Sequence, residues 1–157
     1  FNTEPAKREE APKSRVGNLV FESDIERRLR VAVECNNVAS LFTYLHTLSA
    51  PQLDAEIRSL ETPAQQALFL DAIALRLEAR LDFEAIQAML GVFFACHSDA
   101  LIAAGVHPDV EGDPDGISLA LSLRHVLREQ VNEGDRVLQS LDYCMGTLSF
   151  LRNVPLS

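Results

Sequence analysis

From Ser23 onward, apolar residues recur at spacings of three and four, the period of helices that each bury one face. The first stripe, Ile25, Leu29, Ala32 and Val33, follows Ser23, with Glu26 at the third helical position as in a capping box, and ends near Asn36-Asn37. A second helix spans about residues 38–48, with Leu41, Leu45 and Leu48 on one side. Ser49-Ala50-Pro51-Gln52 repeats the box, with proline in the first turn, where its missing N–H costs nothing. That helix aligns Leu53, Ile57 and Leu60. Thr62-Pro63-Ala64-Gln65 opens a helix to about Arg80 with Leu70, Ile73 and Leu77 inside. Asp82 caps the next, from 83 to about 103, whose buried face carries Ile86, Leu90, Phe93 and Phe94.

The pattern breaks between Gly105 and Gly116, where three glycines, two prolines and four acids mark a surface loop. Beyond it, residues 117 to about 151 predict one long helix, or two joined at Gly134, which costs about 1 kcal/mol against Ala in a helix interior. Leu127, Val131, Gly134, Leu138, Leu141, Met145 and Leu148 alternate steps of four and three, close to a heptad seam. Six or seven helices and no strand signal define an all-α fold. Residues 1–22 are charged, prolyl and aperiodic and read as a linker from an upstream domain. Within it, Gly17-Asn18-Leu19-Val20-Phe21 is a short apolar patch suited to docking. Residues 23–157 form the helical domain.

A chain of 157 residues with 47% hydrophobic and 24% charged residues buries a core without a disulfide or metal staple. The start at Phe1, with no Met and no leader, reads as a segment of a longer protein. Cys35, Cys96 and Cys144 are odd in number and scattered in apolar helical text, the usage of small buried hydrophobes in an intracellular, reducing compartment. The longest apolar runs are interrupted by Asp, Arg or His, so no membrane span is expected. Net charge is −9, yet residues 1–30 hold seven Lys/Arg against six Asp/Glu and residues 31–157 seven against seventeen. A body of such negative charge repels phosphate backbones, so direct nucleic-acid binding by it is not expected.

Candidate chemistry is sparse. Glu111-Gly112-Asp113-Pro114-Asp115-Gly116 echoes a calcium loop, but a Pro sits between ligands and Ser122 stands where a bidentate Glu is needed. No two of His46, His97, His107 and His125 share a helical face at i, i+3 or i+4. There is no Ser or Cys nucleophile elbow and no glycine-rich phosphate loop. No cofactor, metal ligand or catalytic residue is therefore expected. The alternative from another class is a small helical hydrolase or metal-dependent enzyme built around His97 and Asp99 with carboxylates from other helices. The positive signal is the C-terminal stripe, whose Leu127, Val131, Leu138, Leu141, Met145 and Leu148 are expected to divide between internal core and a partner groove.

Several strings together resemble a known family: Leu48-Ser49-Ala50-Pro51, Asp54-Ala55-Glu56-Ile57-Arg58-Ser59-Leu60, Phe69-Leu70, Arg80-Leu81-Asp82-Phe83-Glu84-Ala85-Ile86-Gln87-Ala88 and Phe93-Phe94-Ala95-Cys96-His97-Ser98-Asp99. Leu141-Asp142-Tyr143, Gly146 and Phe150-Leu151-Arg152 complete the set. In this order, over about residues 43–153, they resemble the C-terminal helical domain of the U3 small nucleolar RNA-associated protein 21 family. These are WD-repeat proteins of the UTP-B subcomplex of the small-subunit processome. The resemblance implies a nucleolar, non-catalytic scaffold domain acting in pre-rRNA processing. It also implies association with the helical C-terminal domains of the sister UTP-B propeller proteins, within a large ribonucleoprotein assembly. The propellers themselves have no counterpart in this text, and the 105–116 loop looks like an insertion.

Overall fold

The computed structural model describes residues 22–106 and 114–153. Among them are six helices and no strand: α1 (Asp24–Glu34), α2 (Ala39–Thr47), α3 (Ala50–Arg58), α4 (Pro63–Glu78), α5 (Phe83–Val106) and α6 (Pro114–Arg152). The all-α expectation holds. The linker over 1–21, its Gly17–Phe21 patch, and residues 107–113 of the acidic loop lie outside the described residues.

Helix ends follow the local chemistry closely. The Ser23 hydroxyl accepts from the Glu26 amide at 3.2 Å, and Thr62 does the same for Gln65 at 3.2 Å. The reciprocal halves differ. Gln65 closes its own box by accepting from the Thr62 amide at 3.0 Å, whereas the Glu26 carboxylate instead receives the Gln65 side-chain amide at 2.9 Å. Two caps are thereby tied together, α1 to α4. At their far ends α1 and α4 close with the same two-bond motif, in which a residue takes left-handed backbone. Asn36 (φ 49°) does so after α1, with Asn37 N–H donating to Ala32 O at 2.9 Å. Arg80 (φ 58°) does so after α4, with Leu81 N–H donating to Arg76 O at 3.3 Å.

Asp82 departs from the expected cap. Its carbonyl accepts the first intrahelical bond of α5, from Ile86 at 2.9 Å, but its backbone is left-handed (φ 57°). Its carboxylate turns away from the helix start to the Arg76 guanidinium at 2.6 Å, with His46 at 3.4 Å. It therefore locks the α4–α5 corner against α2.

The interior is built around α4, which packs on α1, α5 and most extensively on α6, while α3 lies on α5 and α2 on α1. Phe69 of α4 stacks on Phe93 of α5 with ring centroids 5.0 Å apart, and Phe42, Leu45, Ile57, Leu70, Ile73 and Ile86 fill the surrounding space. Phe94, expected inside, is only half-buried, an edge-on neighbour of Phe93. Tyr44 links three helices: its hydroxyl donates to Glu56 at 3.4 Å and Arg28 lies 4.2 Å over its ring, while burial and the Glu56 carboxylate push the phenol upward from its usual pKa.

On the long helices one open alternative is resolved and one expectation is corrected. α6 runs unbroken through Gly134, and the one interruption lies in α5, at His97 (φ −118°, ψ 17°). In addition, Phe83–Ala103 does reach the length and apolarity of a membrane span, with a mean hydropathy of 1.5, because Glu84, His97 and Asp99 do not outweigh its apolar majority. Its inward side, Ile86, Met89, Leu90 and Phe93, is packed in the core.

Candidate functional site

α6 has two halves of different character. Leu119, Ser122, Val126 and Glu133 are buried and form the side that meets the body. From residue 135 to 153 every position is exposed. At 1.5 Å per residue, this second half extends about 28 Å from the point of departure. It carries Val137, Leu138, Leu141, Met145, Leu148 and Leu151, and, on the opposite side, Tyr143 and Phe150. A helix that is apolar on more than one side is ordinarily covered.

All six expected seam residues face outward: Leu127 is 44% exposed, Val131 62%, Leu138 58%, Leu141 54%, Met145 58% and Leu148 66%. None joins the internal core, which corrects the expected division between core and groove. The reason lies in register. Residues 119, 122, 126 and 133 also recur in steps of three, four and seven, but on a side about 100° around the helix from the seam. The richer stripe thus points away from α4, and the plainer one, with Ser122 and Glu133 in it, points inward. The acid at 133 concealed this inward face from a reading by hydrophobicity alone.

Where α6 leaves the body, charged groups clasp it. The Glu133 carboxylate takes both arms of the Arg136 guanidinium (2.5 and 3.0 Å), and these bonds hold its pKa below the usual carboxylate range against the opposing effect of burial. Leu77, Glu78, Arg80 and Asn132 border the same groove, of about 390 Å³. Two turns earlier, His125 Nε2 meets Glu78 of α4 at 2.7 Å. His125, Glu78 and Glu129 bring ligand atoms within 4.8 Å of one another, a cluster that spacing within the chain did not reveal because Glu78 lies on another helix. Among the described residues, they are by distance the group able to receive a cation. The imidazole nitrogen is already bonded to Glu78, and Arg128 Nε lies 3.2 Å from the Glu129 oxygen. The His125–Glu78 contact ties α6 to α4.

His97 and Asp99 are not brought together as a site. The His97 ring is buried: Nε2 lies 2.8 Å from the Ile57 carbonyl and Nδ1 3.3 Å from the Gln66 amide nitrogen. A carbonyl only accepts, so Nε2 carries the proton and Nδ1 receives the Gln66 N–H. Both nitrogens are thus engaged in tying the kink of α5 to the end of α3 and to α4. Asp99 is exposed. The cysteines are all free, but Cys35 and Cys144 are exposed and Cys96 is only partly buried, so none of the three is a buried core hydrophobe as expected.

The class defined by this arrangement is an all-helical domain whose polar groups are spent on capping and clasping, with one long helix left apolar and uncovered. Residues 2–152 match the family described as the Utp21 specific WD40 associated putative domain. The chain belongs to that family. It is 35% identical over 120 residues to the U3 small nucleolar RNA-associated protein 21 homolog of Schizosaccharomyces pombe, covering 74% of this chain and 13% of the relative. To the U3 small nucleolar RNA-associated protein 21 of Saccharomyces cerevisiae it is 27% identical over 138 residues, covering 86% of this chain and 14% of the relative. The chain therefore spans about one-seventh of the length of these curated relatives.

Proposed function

We propose that this domain is a non-catalytic protein–protein interaction module of a U3 small nucleolar RNA-associated protein, acting in the nucleolus in pre-rRNA processing and small ribosomal subunit biogenesis. The observation that carries the reading is the uncovered apolar seam of α6, from Leu127 to Leu148, whose residues are 44–66% exposed. The partners proposed are the helical C-terminal domains of sister UTP-B propeller proteins, within the small-subunit processome. Family membership and the relatives' names support the biological setting. The acidic balance of residues 31–157 supports a protein surface over RNA as what covers the seam. The buried, doubly bonded His97 supports a structural role for the residue on which a catalytic alternative would depend.

The test is light scattering behind size exclusion on the chain alone and mixed with each sister domain. A stable co-eluting species is expected with at least one of them, lost in the Leu138→Asp/Leu141→Asp double variant while helicity is retained. A folded double variant that still co-elutes removes the seam from the interface. A chain that stays monomeric in every mixture ends the reading.

A further inference from the structure

The character of the covering surface can be read from α6, resting on the reading that the seam is an interface. In heptad terms Val131, Leu138 and Met145 occupy one inner row and Leu127, Gly134, Leu141 and Leu148 the other. Val137, Cys144 and Leu151 continue the apolar stripe on one flank, and Asp135 and Asp142 bound it on the other. Three apolar rows of seven make a face about 120° wide, broader than the two-row seam of a paired coiled coil and typical of a helix seated between two neighbours. The exposed area of the seam and its apolar flank is on the order of 800 Å², the contribution of one side to a stable interface.

A second copy of this chain is a poor occupant. Antiparallel pairing sets Asp135 and Asp142 against their own equivalents, and parallel pairing sets them against Val137 and Cys144, where nothing offsets the charge. The acidic edge calls for Lys or Arg across it.

Gly134 sits in the middle of the inner rows. It is helical, does not kink α6, and has nothing within 4 Å of where a Cβ would stand. Nothing within the described fold requires a glycine there, although it weakens the helix relative to Ala. Gly146 has equally open surroundings but lies off the stripe, on the far side of the acidic edge. We infer that Gly134 is a hole in the α6 seam that receives a bulky apolar side chain from a partner presenting two adjacent helices, with basic residues facing Asp135 and Asp142.

The test compares Gly134→Ala, Gly134→Leu, Gly146→Ala and Gly146→Leu in the 157-residue chain, binding each sister UTP-B helical domain by calorimetry, with Leu138→Asp/Leu141→Asp as the seam control. Both Ala variants are expected to raise the melting temperature of the isolated chain. Gly134→Leu is expected to weaken association at least tenfold, while both Gly146 variants remain within about twofold of the unsubstituted chain. If Gly134→Leu binds undiminished, or Gly146→Leu loses as much, the hole is refuted. The interface reading still stands in that case, provided the seam control abolishes binding. If the seam control binds normally, or no domain binds, both fall together.

Discussion

His97 offers the sharpest test of how this core is assembled. Replacing it with Leu keeps apolar volume against Phe93, whose ring centroid lies 5.0 Å from that of His97, and removes both polar contacts. The Ile57 carbonyl loses its 2.8 Å donor and keeps only the Leu60 amide at 3.3 Å. Gln66 Nε2 keeps the Leu60 carbonyl at 3.0 Å but has one N–H left with no acceptor in the interior. A lost net hydrogen bond costs about 1 kcal/mol, and a buried donor left bare about 1–3 kcal/mol, so a destabilisation of about 2–4 kcal/mol is expected. For a chain of this size that corresponds to a fall in Tm of about 4–16 °C. Urea denaturation followed by far-ultraviolet circular dichroism measures it, with m-values checked for constancy. The double-mutant cycle with Gln66→Met isolates the coupling, expected at about 1 kcal/mol or more because the two side chains satisfy each other. A His97→Leu cost under about 1 kcal/mol, or a cycle additive within about 0.5 kcal/mol, would refute the claim that this triad pins the kink.

Other expectations follow from individual contacts. The Glu133 carboxyl is held below its ordinary pKa by Arg136, so its stabilisation is complete above the unfolded-state value of about 4.3 and is lost as pH falls through the lowered folded value. Glu133→Gln should flatten the dependence of the urea midpoint on pH over that window, and an unchanged slope would show that the pair is idle. Thr62→Ala removes the acceptor of the Gln65 amide and should cost about 1 kcal/mol, or about 2–4 °C in Tm by differential scanning calorimetry. Chelator treatment should leave Tm unchanged within about 1 °C, since His125 is engaged with Glu78 and His97 with Gln66 and Ile57, and a larger fall would reveal a bound metal.

Much of the fold is local and was legible for that reason. Ser23 and Thr62 each precede a helix because their short polar side chains satisfy amides that have no intrahelical partner, an effect confined to four residues of chain. Long-range competition is what sequence periodicity does not contain. Asp82 reads as a cap until Arg76, one helix earlier, claims its carboxylate at 2.6 Å. Gly134 left one helix or two open because propensity is a per-residue average, and the buried contacts of Leu119, Val126 and Glu133 decide for one. His97, which no propensity marks, bends α5 because its partners Ile57 and Gln66 lie 40 and 31 residues away. The α6 stripe was half visible: its spacing was identifiable, but its orientation depended on which stripe α4 would take.

The manner in which α6 is attached also bears on the entropy of association. Starting a helix in water is the difficult step, with a nucleation constant of about 10⁻³, equivalent to about 4 kcal/mol. Here that step is completed inside the body, where Leu119, Ser122 and Val126 fix the first turns. Residues 135–153 need only propagate an existing helix, at near-neutral free energy per residue. Their amides should accordingly exchange with solvent by fraying from the free end while those of 119–133 stay protected, the gradient that separates a templated helix from a segment that folds only on contact.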